Sequence, residues 1–278
     1  MSLTSRFRQF CIASTRYIYV GNKRYRLRGL SLNPLAGNRG DHDPWLNSLL
    51  GSLLLSRPGA VLDVGANIGQ TMLKVLALDA NRRYIGFEPQ LACAAVIDRF
   101  IRSNRLQNFN VFSFGLSNEN AVVQLQSQNG EFDSTASMVK GFRPEWFYQS
   151  SRFISVRHGD EVIKDLNLES VALIKIDVEG AELEVLQGLR GTIQRFRPAI
   201  IFEVLNSFLR ATGQPLDQPT TEFRLARIRT METLLSDLGY DLAQITPKEI
   251  RPIARIEPAV SADLSLTNYL ASPRSVVG

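Results

Sequence analysis

The stretch VLDVGANIGQ (residues 61–70) decides the fold. With Ala60 ahead of it, its first half is a short apolar run broken only by Asp63, as in a strand covered on both faces. Gly65 opens a tight turn, and Gly69 stands where the segment GQTMLKVLALDA (69–80) takes up a helical pattern. The same unit recurs along the chain. YIGFE (84–88) is followed by Pro89 and the helix QLACAAVIDRFIRSN (90–104), and FNVFSFGLS (109–117) reads as a third strand. VALIKID (171–177) leads into the helix AELEVLQGL (181–189), and AIIFEV (199–204) into the amphipathic TEFRLARIRTMETLLSDLG (221–239). Apolar strands alternating with helices predict an α/β protein with a doubly wound, mostly parallel sheet. In such sheets ligands bind beyond the C-terminal strand ends, so the turns after VLDV, GFE, FG and KID are where chemistry is expected.

Outside this frame lie a basic N-terminal arm (1–44) with a hairpin pattern, YIYV-GN-KRYRLR, and a loop, NPLAGNRGDHDP. Asp43 and Pro44 suit the N-cap and first position of the helix WLNSLLGSLLL, which opens the main domain, 45–245. Residues 121–160 interrupt the alternation; VVQLQ and FISVR there have the character of strands, and the insertion is expected to face an acceptor. The tail 246–278 carries four prolines and weak periodicity, as in a cover or edge element.

The net charge of +5 is unevenly spread. Residues 1–40 hold eight of the 32 Lys/Arg and none of the 27 Asp/Glu, so the rest of the chain carries −3. The arm suits a solvated strand pair or peripheral contact with an anionic surface; an acidic body without a base-flipping motif disfavours nucleic acid. No apolar run is long enough for a transmembrane segment, and the N-terminus lacks the apolar core of a secretory signal. Two cysteines, Cys11 and Cys93, without metal-type spacing fit a reducing, cytoplasmic setting, with Cys93 read as a small buried apolar residue.

The turn at 63–69 reads D-x-G-x-x-x-G, with Asn67 where a nicotinamide-binding turn has its middle glycine. Glu88 ends the next strand, 23 residues after Gly65, where an acid accepts from ribose hydroxyls. Asp63, Gly65, Asn67, Gly69 and Glu88 therefore form a candidate nucleoside site. At the other strand end, Leu173, Lys175 and Asp177 share one face, and Asp177, Glu179, Glu182 and Glu184 crowd into eight residues. Glu182 falls within the apolar arc of its helix, where capping of the first turn is the plain reading. The carboxylates can face a cationic cofactor, bind a divalent metal through oxygen, or act as a base.

VLDVGANIGQ, GFEP, LIKIDVEGAELEVLQG and RPAIIFEV together resemble the motifs of FkbM-type S-adenosylmethionine-dependent methyltransferases over about residues 60–205, DVEGAE being the most specific. The resemblance implies a Rossmann-like class I methyltransferase fold and methyl transfer, usually to oxygen, often on sugar hydroxyls of glycans, glycolipids or natural products. It implies that Asp63, Gly65, Asn67 and Gly69 line the methionine end of the cofactor, Glu88 the ribose, and Asp177 the transferred methyl. A metal is not assigned. Asp177 is the candidate base, with Glu203, at the end of AIIFE, and His158, in SVRHGDE, as alternatives; His42 sits in the loop before the first helix. Phe142, Trp146, Phe147 and Tyr148 can stack on sugar faces with Arg143 and Arg152 holding anionic groups, or can pack as a lid or dimer surface. Ser134 and Ser137 suit acceptor contact or turn capping. The competing expectations are methylation of another small molecule, and a non-catalytic cofactor-binding partner of glycan-modifying enzymes. The oligomeric state is not legible.

Overall fold

The computed structural model describes residues 11–14, 17–20, 22–27, 44–128, 130, 132–205, 217–257 and 263–275; His42 and Asp43 lie outside the described residues. Three short strands, β1 (Cys11–Ser14), β2 (Tyr17–Val20) and β3 (Lys23–Arg26), form an antiparallel sheet. Ile18 and Val20 turn inward while Lys23, Arg24 and Arg26 stay exposed, so the basic charge of this segment is solvated.

Among the described residues the central sheet has eight strands. β4 (Ala60–Val64) pairs in parallel with β5 (Tyr84–Phe87), which pairs in parallel with β6 (Phe109–Phe112). On its other side β4 pairs in parallel with β10 (Val171–Ile176), and β10 with β11 (Ala199–Glu203). The chain thus runs outward one way from β4, then returns and runs the other way, which leaves a topological switch point between β4 and β10. β12 (Tyr240–Ile245), β13 (Ile250–Ile253) and β14 (Asn268–Pro273) complete the sheet antiparallel, with β14 inserted between β11 and β12. The tail, expected as a cover or edge element, supplies both the edge strand β13 and the interior strand β14.

Helices cover both faces, as the near-continuous apolar strands require. On one side lie α1 (Pro44–Ser56), α2 (Gln70–Leu78) and α3 (Leu91–Asn104), packed on Val61, Leu173 and Ile201. On the other lie α4 (Gly159–Asp165), α5 (Glu182–Gly188), α6 (Arg190–Phe196) and α7 (Gln218–Asp237), packed on Leu62, Val64, Ile174 and Phe202. The alternation of Val61/Leu62 and Leu173/Ile174 between the two cores is the two-residue period of a strand. Asp217 caps α7, accepting from Thr220 N at 2.9 Å, with Pro219 in the first turn.

FNVFSFGLS is not one strand. β6 stops at Phe112, and β7 (Gly115–Ser117) enters a second small sheet with β8 (Ala121–Ser127) and β9 (Ser150–His158). The break is held by an aromatic cluster in which Phe87, Phe112 and Phe114 lie with ring centroids 5.5–5.9 Å apart. Among the described residues no helix is long and apolar enough to cross a membrane.

Candidate active site

A cleft of about 320 Å³ opens at the C-terminal rim of β4, β5, β10 and β11, on the switch point. Gly65 forms part of its floor with φ +84°, and a Cβ there would lie 1.8 Å from the Asp177 carbonyl oxygen. Only glycine lets the β4 turn approach the end of β10 this closely. Asn67 also has positive φ, 46°, which turns its N–H toward Glu88 Oε2 at 2.8 Å. Gln90 N donates to Glu88 Oε1 at 2.8 Å. Glu88 is thus held on both oxygens by backbone at the cleft wall. Burial pushes its pKa up to about 7, against the pull of those two donors.

Of the five residues expected to hold a nucleoside, Gly65, Asn67 and Glu88 line the cleft, while Asp63 and Gly69 do not. Asp63 is fully buried within β4, one residue before the turn, and accepts from the Tyr84 hydroxyl at 2.5 Å; its Oδ1 has no partner. It lies beneath the loop rather than beside it. Gly69 serves as the N-cap of α2 with φ +93°.

Opposite stands an acidic group. Asp177, Glu179 and Glu203 each offer a carboxylate oxygen within 4.8 Å of the others. Lys175 Nζ donates to Asp177 Oδ2 at 2.9 Å, and Arg143 forms an ion pair with Glu179. Burial opposes the charge on Lys175, but Asp177, Asp63 and Glu203 prevail and hold its pKa above the ordinary value. Burial raises Glu179 to about 7 despite Arg143. Among the described residues Glu203 has no cationic hydrogen-bond partner; it accepts from Thr267 Oγ1 at 2.8 Å. Burial, then the charges of Asp177 and Glu179, raise its pKa well above the carboxylate range. Oxygen donors of this kind suit a hard divalent cation, but Lys175 and Arg143 already offset two of the three charges.

The turn carrying these acids is rigidly braced. Glu179 and Gly180 have φ of 54° and 106°. Glu182 Oε1 accepts from Gly180 N at 3.1 Å and Val178 N at 3.4 Å, while Arg227 donates to Gly180 O at 2.8 Å and pairs with Glu184. Glu182 therefore shapes the turn, as the capping reading requires, and is absent from the cleft lining.

His158 is not in the cleft. β9 contributes Ile154 to the lining, and four further residues carry His158 about 13 Å along the strand. There its N–H donates to Asn120 Oδ1 at 3.0 Å. Phe142, Trp146, Phe147 and Tyr148 also stay out of the lining. Phe142 is buried against Gly180, and the Arg143 guanidinium lies 4.9 Å from the Phe147 ring while reaching Glu179. Phe142 and Arg143 of this segment thus brace the acidic turn, while Trp146 stays exposed. Arg152 donates to Gly130 O, and Ser137, fully buried, accepts from Val139 N. Ser134 does line the cleft, with Leu125 and Asp133. Cys93 is buried, and burial pushes its thiol up to about 12.

Lys175, Gln90 and the tail residues Leu264 and Asn268 line the cleft without having been singled out by sequence. For Lys175 the signal was present, since it shares the strand face of Asp177. The tail residues arrive by long-range pairing of β14 with β11, which leaves no local mark.

A family model described as the methyltransferase FkbM domain matches residues 63–242. The 2-O-methyltransferase NoeI of Sinorhizobium fredii is 30% identical over 157 residues, covering 52% of this chain and 63% of NoeI, so the chain spans less than two thirds of that relative. The methyltransferase sdnD of Sordaria araneosa is 24% identical over 211 residues, 66% of this chain and 74% of its own. Among solved structures, methyltransferase FkbM from Methylobacillus flagellatus KT aligns with 77% of this chain and 43% of its own, at 17% identity and a TM-score of 0.44.

Proposed function

The chain belongs to the methyltransferase FkbM domain family, and from that premise we propose that it is an S-adenosylmethionine-dependent O-methyltransferase acting on a hydroxyl of a sugar-containing acceptor. The observation that carries the reading is Glu88, gripped by the Asn67 and Gln90 N–H groups at the cleft wall and facing the acidic strand ends. When bound, S-adenosylmethionine would supply an electrophilic methyl carried on a sulfonium cation. Glu88 accepts from the ribose hydroxyls, and Gly65 and Asn67 present backbone to the amino-acid end. Glu203 takes the acceptor's proton, its raised pKa making it a better base than a solvated carboxylate. Asp177, fixed by Lys175, faces the sulfonium charge. Alignment of donor and acceptor in one cleft supplies much of the acceleration of such a displacement. NoeI, named as a 2-O-methyltransferase, supports oxygen as the acceptor atom.

The test is calorimetric titration with S-adenosylhomocysteine and, separately, NAD⁺, with and without Mg²⁺, alongside Glu88→Ala. The expected result is binding of the homocysteine nucleoside alone, weakened about tenfold or more in the variant by loss of hydrogen bonds to a charged group. Binding of NAD⁺ instead overturns the assignment. Transfer of labelled methyl to a set of methyl glycosides then tests the acceptor class.

A further inference from the structure

Leu264 and Asn268 of the tail line the cleft, and Thr267 between them bonds Glu203; all three lie beyond the FkbM-matched segment 63–242. Asn268 opens β14 and is the antiparallel register partner of Glu203, the last residue of β11. Side chains of such a pair stand on one face of a sheet with Cβ atoms about 5 Å apart. Here both line the cleft, and neither is fully buried. The Thr267 hydroxyl sits beside both. Its one proton is shared between two acceptors, Leu264 O at 2.7 Å and Glu203 Oε1 at 2.8 Å, so toward Asn268 it can only accept. Asn268 Nδ2 makes that bond, a long one at 3.4 Å. The amide nitrogen therefore faces Thr267, and Oδ1 faces away from it. Oδ1 and the second Nδ2 proton have no hydrogen-bond partner among the described residues. An ionised carboxylate only accepts, whereas a primary amide accepts and donates, as a hydroxyl does. A carboxylate and an amide placed side by side, each reaching out by a hydrogen bond of about 2.8 Å, fit two hydroxyls on adjacent carbons.

We propose that Asn268 is a specificity-determining residue of the acceptor site, its amide binding the hydroxyl next to the one that is methylated, so that the acceptor is a vicinal diol. The proposal rests on the sugar-hydroxyl reading above and narrows it. One hydroxyl gives its proton to Glu203 while Asn268 holds its neighbour and fixes the ring. A methyl ether at that neighbouring position can accept from Nδ2 but cannot donate to Oδ1. The chain therefore transfers one methyl per diol. Selection of the acceptor lies with the tail as well as with the insertion.

The experiment gives the full chain and Asn268→Leu S-adenosylmethionine with a labelled methyl and a set of methyl hexopyranosides. The position methylated on the fastest acceptor is mapped by NMR. Its kcat/KM is then compared with those of the derivatives that lack a hydroxyl on a flanking carbon. The readout is the ratio of parent to deoxy derivative within each protein, which general damage to the cleft does not move. In the wild-type chain one such ratio should be roughly tenfold or more, because the amide is then left unpaired. In Asn268→Leu it should fall to about threefold or less, since no polar group remains to be satisfied. Wild-type ratios near one for every flanking position, or methylation at a carbon with no neighbouring hydroxyl, overturn the proposal whether or not the variant folds. A ratio retained in Asn268→Leu removes Asn268 from acceptor recognition. These results leave the sugar-hydroxyl reading standing, whereas transfer to none of the hexopyranosides sinks the two together.

Discussion

Lys175 on β10 stands opposite Asp63 on β4 in the parallel ladder, and its Nζ reaches forward to Asp177 Oδ2 at 2.9 Å. One ammonium thus pairs with a half-exposed carboxylate at the rim and sets a positive charge in the field of a buried one in the sheet. Lys175→Met leaves both without a counter-charge. Removing one partner of a buried ion pair costs about 3–5 kcal/mol; with Asp177 able to turn to water, about 3 kcal/mol is expected in urea denaturation. Adding Asp63→Asn to this variant should recover part of the loss, because it removes the carboxylate that cannot reach solvent.

Gly65→Ala would place a methyl 1.8 Å from the Asp177 carbonyl at φ +84°, so the turn must move away from β10. The expected outcome is a stability loss of at least about 3 kcal/mol, beyond the roughly 1–2 kcal/mol of left-handed backbone strain, with loss of S-adenosylhomocysteine binding. Gly130→Ala is the control: its φ is +65°, but its Cβ would meet nothing within 4 Å. It should show only the strain contribution.

Burial raises the pKa values of Glu88, Glu179 and Glu182 from 4.5 to about 7. The native state then binds more protons than the unfolded chain between these values, and stability falls as pH rises from about 4.5 through about 7. Thermal unfolding should occur at a higher temperature at pH 5.5 than at pH 7.5. Glu182→Gln keeps an acceptor for Val178 N and Gly180 N while removing one titration, so it should flatten the dependence. An unchanged slope would show that Glu182 titrates alike in both states.

Turnover should rise with pH as Glu203 gives up its proton. Thr267 Oγ1 donates to that carboxylate and lowers its proton affinity. Thr267→Val therefore moves the ascending limb of kcat/KM to higher pH. Glu203→Gln should lower kcat by roughly 10²–10⁴, the usual worth of general-base catalysis, while S-adenosylhomocysteine binds within a few-fold of wild type. A full kcat in Glu203→Gln would assign the proton to another group, with Asp177→Asn the next variant to assay.

The strands and helices around the cleft were legible because strand period, helix period and turn glycines agree with one another there. Gly65, Asn67 and Glu88 could be found because each ends a strand or opens a turn at a predictable offset. Asp63 lies beneath the turn because strand alternation sends it into the α1–α3 side of the sheet, where the Tyr84 hydroxyl donates to it. Composition left the aromatic insertion open between a stacking platform and a packed lid, because it cannot distinguish the two; Phe142 against Gly180 and Arg143 on Glu179 are packing contacts. Thr267 and Asn268 were invisible, since a site residue delivered by pairing across more than sixty positions of chain has no local signature.

The insertion of β14 between β11 and β12 sets an order on synthesis. β11 and β12 leave the ribosome before residues 268–273, yet neither can take its final neighbour until those residues emerge. In that interval β11 presents an open apolar edge, the form in which nascent sheets pair wrongly with one another. Thr267 reaches Glu203 only with the same late segment. A ribosome that stalls before this point would leave a chain with the nucleoside turn translated but the rim of the cleft incomplete, a substrate for holding chaperones rather than an enzyme.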